Sequence, residues 1–140
     1  TCCRRIPSPW KAWCDDEVLL VRGKSGRYFA HPFPTWSEYL ERKSEQTWKV
    51  ENFVPLKAIF FLEKAEEDAA SPIGEGEAAL RIKQASEQIS SRVLRGEDAT
   101  AKKYKIATFN NACRLAKAVP AYALKASLTG RFWEEIERVL

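Results

Sequence analysis

The alternation of apolar and polar positions predicts short strands in the first half of the chain. A brief extended segment at residues 10–14 is followed by one strand at Glu17–Arg22 and a second at residues 27–30. A glycine-containing turn at residues 23–26 joins the two strands, which is typical of a β-hairpin. The His-Pro-Phe-Pro sequence at residues 31–34 is expected to break the second strand, because proline removes a backbone donor.

The second half of the chain contains longer apolar runs, and segments in which apolar residues recur with the period of a helix. Residues 54–63 contain the continuous run Ala-Ile-Phe-Phe-Leu, which indicates a core strand buried on both faces. Residues 75–94 and 98–118 have helical periodicity, so one stripe of each helix is expected to face the core. These stripes are Ile82, Ala85, Ile89 and Val93 in the first helix, and Phe109, Ala112, Cys113 and Ala116 in the second. With a last strand at residues 122–126 and a terminal helix at 132–140, the pattern predicts an α/β fold.

Length and composition limit the class of protein. The chain has 140 residues, 45% hydrophobic and 30% charged, as expected of one folded domain. Its net charge of +4 comes from basic residues interleaved with acids, so it favours anionic partners only mildly. A nucleotide phosphate suits this balance, and we expect neither a nucleic-acid partner nor a membrane partner. The apolar runs are far too short for a membrane-spanning helix.

The cysteines do not have the spacing of a metal site. Cys2, Cys3, Cys14 and Cys113 include no C-x-x-C pair, and His31 is the one histidine that could join them. A zinc site is therefore not expected. Dispersed thiols without a secretory signal indicate a reduced, cytoplasmic protein.

Two adjacent carboxylates, Asp15 and Asp16, lie between the first two extended segments. Successive side chains of an extended segment point to opposite sides, so one acid can face a metal-bound phosphate while the other meets an acceptor. Adjacent carboxylates repel, which raises the pKa of one of them unless a cation such as Mg²⁺ offsets the repulsion. The alternative is an aspartate-rich turn exposed to water.

The sequence WCDDEVLLVR followed by GRYFAHPFP resembles the segment after the P-loop in the catalytic domain of HPr kinase/phosphorylase and its relatives. In that family a hydrophobic strand ends in Asp-Asp and continues into a strand of the type V-x-L-x-R. A closer resemblance is to the HPr-kinase-like proteins of the SynChlorMet cassette, which are encoded beside radical-SAM peptide-modifying enzymes. These share the HPFP element, the PLKAIFFLE strand and a stretch like VPAYALKASLTGRFWEEIE, so the resemblance covers most of the chain.

The resemblance implies a fold, an activity and a set of roles. The fold is a partial P-loop sheet of the HPr kinase/PEP carboxykinase-like type, in a single domain over residues 1–140. The implied activity is a Mg-ATP-dependent phosphotransferase or nucleotide-binding protein, with Mg²⁺ and ATP as cofactors and a peptide or protein as possible phosphate acceptor. Asp15 is then the acceptor-side base and Asp16 the magnesium ligand, although the two could be exchanged.

Four further residues are candidates near these acids. His31 could position phosphate or shuttle a proton, or it could simply hydrogen-bond a loop carbonyl. Arg4 and Arg5 could contact nucleotide phosphates bidentately, or lie at a solvated helix end. The resemblance places Thr1 at the start of the helix that follows the phosphate-binding loop. Thr1 is therefore assigned to the nucleotide site together with Arg4 and Arg5.

The chain contains no G-x-x-x-x-G-K-[ST] sequence, so the amides and lysine that hold ATP phosphates are expected upstream of Thr1. Two other classes of function stay open. One is a catalytically inactive peptide- or protein-binding module of a peptide-modification cassette, and the other is a small structural or regulatory α/β domain. A sheet without its first strands leaves an open edge beside residues 54–63 or 10–14, so we expect a homo-oligomer or a partner that covers the edge.

Overall fold

A computed structural model describes residue 2 and residues 5–14, 17–33, 51–90 and 99–140. The chain divides into two compact units, Thr1–Leu56 and Lys57–Leu140. The expectation of a single domain over residues 1–140 stays a prediction. Each unit has its own small sheet.

The sheet of the first unit is antiparallel. Strands β1 (Glu17–Arg22), β2 (Tyr28–Phe33) and β3 (Val54–Pro55) lie in the order β1-β2-β3. The predicted hairpin is confirmed, since β1 and β2 pair along their whole length. Gly26 has a φ of 84° in the connecting turn, a conformation that glycine adopts without the steric cost of a side chain.

The prediction that residues 31–34 break the second strand is wrong for residues 31–33. β2 continues through His31, Pro32 and Phe33, and Pro32 pairs with Val18. β3 pairs only with Phe29 and Ala30, so Pro32 lies beyond the part of β2 that has described neighbours on both sides. Proline is tolerated in such an edge position, where its missing donor removes no ladder bond.

The sheet of the second unit is mixed. Strands β4 (Ile59–Lys64), β5 (Ala69–Pro72) and β6 (Ala121–Ala126) lie in the order β4-β6-β5. β4 runs parallel to β6, and β5 runs antiparallel to it. Helices α1 (Glu75–Ser90) and α2 (Ala99–Ala118) come between β5 and β6 in the chain, and α3 (Phe132–Val139) follows β6.

The helices of the second unit lie on both faces of its sheet. Ala78 and Ala79 of α1 and Ala116 of α2 form a buried cluster with Ala121 of β6. On the opposite face, the hydroxyl of Tyr122 donates to the carbonyl of Val139 in α3, at 3.2 Å. Neighbouring strand residues point to opposite faces, so α1 and α2 cover one side and α3 the other. The small alanine side chains let the helices approach the strands closely.

The single strand predicted over residues 54–63 is wrong. Val54 and Pro55 pair with β2, whereas Ile59–Lys64 pairs with β6 in the other sheet. The prediction of burial on both faces is also wrong, because Leu62 is 59% exposed. β4 has a described neighbour on one side only. The strand β5 was not predicted at all.

The predicted apolar stripes are only partly correct. In α1, Ile82 packs against the buried cluster, but Ala85 is exposed and Ile89 is 45% exposed. In α2, Ala112 and Ala116 are buried and Cys113 is half-buried, whereas Phe109 is 42% exposed. The faces that pack inward consist largely of alanines. Alanine is less hydrophobic than the larger apolar residues beside it, so the sequence pattern favoured those larger residues as the inward face. Val93 lies outside the described residues.

The predicted fold class is confirmed at its coarser level. The described residues form a mixed α/β protein with two small sheets and three helices. The expectation of a P-loop type of sheet stays a proposal.

Candidate functional site

The acid pair falls outside the residues that the structure describes, as do Thr1 and Arg4. The described strand β1 begins at Glu17, which directly follows Asp16 in the chain. The strand contains Val18, Leu20 and Arg22 at the alternate positions of the V-x-L-x-R pattern. Of the arrangement implied by the resemblance, the strand after the two acids is therefore present, whereas residues 10–14 before them do not form a strand in the structure.

Trp13 lies just before the acid pair and carries an unusual donor. Its indole Nε1 is buried and has no hydrogen-bond partner in the described part of the chain. A buried polar group without a partner is uncommon in folded proteins, because its desolvation is not compensated. We did not predict this donor from the sequence, although a tryptophan two residues from a candidate carboxylate is a visible signal.

His31 lies within β2, opposite Leu19 of β1. Its ring centroid is 5.3 Å from that of Phe53, with the planes tilted by 34°. Phe29 meets the same Phe53 ring edge-on, at 5.2 Å. The imidazole is half-buried beside two aromatic rings on one face of the sheet. A catalytic role for His31 stays a prediction.

Two other sequence features near the hairpin can be placed. The backbone N–H of Arg5 donates to the carbonyl of Cys2 at 2.9 Å, and its contact with a nucleotide phosphate stays a prediction. The Gly-Lys-Ser triplet at residues 23–25 lies in the β1–β2 turn, where the Gly26 N–H donates to the Gly23 carbonyl at 2.9 Å. A phosphate-binding loop connects a strand to a helix, so this turn between antiparallel strands is not one.

In the second unit, polar residues meet at the carboxyl ends of the parallel strands β4 and β6. Asp68, in the loop after β4, accepts a hydrogen bond from the backbone N–H of Ser127 at 2.6 Å. The hydroxyl of Ser127 in turn accepts from the N–H of Gly130 at 2.8 Å. This edge of an α/β sheet often carries binding sites. Here the carboxylate ties the two loops together, and the sequence analysis had not singled it out.

Gly130 leaves no space for a side chain. A Cβ at this position would collide with the Asp68 carboxylate and with the Ser127 hydroxyl. We expect Gly130→Ala to lower the free energy of unfolding by roughly 1–3 kcal/mol, the usual cost of overpacking.

Urea denaturation followed by circular dichroism measures this effect. Gly76→Ala is the matched control, because a Cβ on Gly76 meets nothing within 4 Å. We expect Gly76→Ala to be neutral or slightly stabilising, since alanine favours helix over glycine. Equal stability of the two variants would contradict the role given to the Asp68–Ser127–Gly130 contact.

Helix α3 is fastened to the edge strand β5 by a second polar cluster. The Ala70 N–H donates to Oε2 of Glu135 at 3.3 Å, and Nη2 of Arg138 donates to the Ala70 carbonyl at 2.9 Å. Arg138 also pairs with Glu135 at 2.7 Å. This hydrogen bond from Arg138 lowers the pKa of Glu135 below its ordinary value, with the Ala70 amide adding to the effect. The cluster therefore provides hydrogen-bond partners for the backbone N–H and carbonyl of Ala70 at the outer edge of β5.

A cavity of about 310 Å³ lies in the second unit, at the end of the sheet opposite the carboxyl ends of β4 and β6. It is located between the first turn of α1 and the connection from α2 to β6. Ile73, Val119 and Tyr122 are among its apolar lining residues, and Glu75 and Lys117 bring charges of opposite sign. This lining favours no particular charge on a ligand.

Two further features, a metal-binding cluster and a membrane-spanning helix, are absent from the described residues. Within them, no three His, Cys, Asp or Glu side chains are close enough together to hold a metal ion. None of α1, α2 and α3 combines the length and the apolar character that a membrane-spanning helix needs.

The fold and these clusters define a small mixed α/β protein. The family model of the SynChlorMet cassette protein ScmC matches residues 1–140, so the chain belongs to that family. Neither a curated protein nor a solved structure matches the chain.

Proposed function

We propose that the chain is the part that follows the phosphate-binding loop in an HPr kinase-like, Mg-ATP-dependent phosphotransferase. The observation that carries this proposal is the start of β1 at Glu17, directly after Asp15 and Asp16. A strand in this position is one half of the arrangement that the HPr kinase resemblance implies. The phosphate acceptor under this proposal is a peptide or a protein.

The residues around the acid pair suit the chemistry of a magnesium-bound phosphate. Carboxylate oxygens are the ligands that Mg²⁺ prefers, and Asp16 would hold the ion while Asp15 accepts the proton of the acceptor. Mg-ATP would supply the transferred phosphoryl group. The indole N–H of Trp13, which has no partner in the described residues, is a donor that a carboxylate or phosphate oxygen can satisfy. His31 would shuttle a proton, and Thr1, Arg4 and Arg5 would contact the nucleotide.

The 140 residues by themselves should bind Mg-ATP weakly or not at all. Phosphate affinity in P-loop proteins comes from loop amides at a helix N-terminus, and no such loop sequence is present here. Isothermal titration calorimetry of this chain, beside the full-length product of its gene, measures the difference. Micromolar affinity for these residues alone would mean that a different phosphate site exists.

A second candidate is a catalytically inactive peptide- or protein-binding module. It is favoured by β1, in which Val18, Leu19 and Val21 are exposed, and which has β2 as its one neighbour within the described residues. An extended peptide can add to such an edge through backbone hydrogen bonds. A second copy could use the same edge, or the edge of β4, which is the basis for expecting a homo-oligomer. Light scattering of the purified chain tests that expectation.

A further inference from the structure

The solvent face of α2 is strongly basic. The helix carries five cations, Lys102, Lys103, Lys105, Arg114 and Lys117, and no acidic residue. The net charge of the whole chain is only +4, so outside this helix the acidic residues slightly outnumber the basic ones. The basic charge is therefore concentrated on this helix.

In the other two helices, described cations form ion pairs with acids, whereas the lysines of α2 do not. Arg81 of α1 pairs with Glu63 and Glu77, and Lys83 pairs with Glu87. Within the described residues, Lys102, Lys103 and Lys105 make no ion pair and are exposed. Their charges are directed to solvent, where they attract anionic groups.

Two large apolar side chains lie among these lysines. Ile106 is 63% exposed and Phe109 is 42% exposed. Residues three and four apart share one side of a helix, so Lys102, Lys105, Ile106 and Phe109 form a single stripe. The buried side of α2, which holds the helix to the core through Ala101, Ala112, Leu115 and Ala116, lies directly beside this stripe. The stripe is therefore a fixed surface on a rigid element.

We infer that this stripe, Lys102, Lys105, Ile106 and Phe109, binds an acidic amphipathic helix of a partner protein. The occupant needs apolar residues at i, i+3 or i+4 to cover Ile106 and Phe109, with Asp or Glu on the flanks to meet the lysines. Charge complementarity selects an acidic partner, because α2 itself has no acid to repel it. Two apolar anchors are too few for an interfacial membrane helix, which needs a continuous apolar face.

This inference is independent of the proposed function, since it uses no residue of the first unit. The probe is a labelled synthetic helix with leucine on one face and glutamate on its flanks, and binding is measured by fluorescence anisotropy. We expect binding that weakens as salt rises. The double variant Lys102→Glu/Lys105→Glu should lose about tenfold or more in affinity, because like charges then face each other. Ile106→Ser should lose affinity several-fold.

Matched controls separate a docking surface from a general charge effect. Lys24→Glu/Lys64→Glu changes the net charge equally at two exposed lysines elsewhere, and Leu128→Ser removes an apolar side chain that is 84% exposed. Both should retain wild-type affinity, and circular dichroism should show that every variant is folded. Absence of binding, or equal binding of a scrambled peptide of the same composition, would overturn the inference. Tighter binding of phosphatidylserine vesicles or of single-stranded DNA through the same lysines would also overturn it.

Discussion

Asp15→Asn and Asp16→Asn should each slow phosphoryl transfer by the full-length protein by about a hundredfold or more. Under the proposed function, catalysis consists mainly of positioning and charge neutralisation, with one carboxylate on the metal and one beside the acceptor oxygen. An amide keeps the size of the carboxylate but neither accepts a proton nor neutralises Mg²⁺. We expect folding to be nearly unaffected, because the described strand β1 begins at Glu17, after both acids in the chain.

The two variants should differ in their response to magnesium. Loss of a metal ligand weakens the affinity for Mg²⁺, so activity of the Asp16 variant should partly recover at high magnesium. Loss of a general base is not relieved in this way, so the Asp15 variant should stay slow. Glu67→Gln, at an exposed acid in the loop after β4, is the control and should keep wild-type turnover. Wild-type turnover of both aspartate variants would identify the pair as a solvated turn and favour the binding module.

Leu124→Ala should give a large loss of stability in the second unit. Leu124 is 1% exposed on β6, the central strand of its sheet. Truncating a buried leucine removes apolar contacts and leaves a cavity, which costs about 2–5 kcal/mol of the free energy of unfolding. A typical domain has only about 5–15 kcal/mol in total.

Circular dichroism in urea follows this loss directly, since all the described helices belong to the second unit. Leu128→Ala is the same substitution at a side chain that is 84% exposed, and it should change stability by less than about 0.5 kcal/mol. A similar small effect for Leu124→Ala would mean that β6 is not the centre of the core.

Local sequence signals predicted the elements better than their packing. The hairpin, the starts of β1 and α1 and the end of α2 follow from turn residues and periodicity, which act over a few positions. The division of residues 54–63 between two sheets was missed, because an apolar run does not reveal where a chain changes its partner. The inward face of α1 was misplaced because close packing selected Ala78 and Ala79 over Ile89, whereas in α2 Phe109 was the one predicted inward residue that is exposed.

The residues of the candidate sites also differ in how far they could be predicted from the sequence. Asp15 and Asp16 were proposed from residue type, position and resemblance, and their role stays a prediction. Asp68 and Gly130 were missed because they meet only when the loops after β4 and β6 come together. Sequence spacing carries no signal for such a contact. The basic stripe of α2 was missed, because the basic residues of the chain were taken to be interleaved with acids throughout. Its exposure and the lack of ion pairs at its lysines became visible only in the folded chain.

The placement of the helices on opposite faces of one sheet gives the second unit an electric dipole. The basic helix α2 lies on one side, while α3, which carries Glu134, Glu135 and Glu137 against Arg138, lies on the other. In solution, the electric field of a charged partner orients such a dipolar unit before the two come into contact. An anionic partner would therefore meet the α2 side first, and dissolved salt would shorten the distance over which this alignment acts.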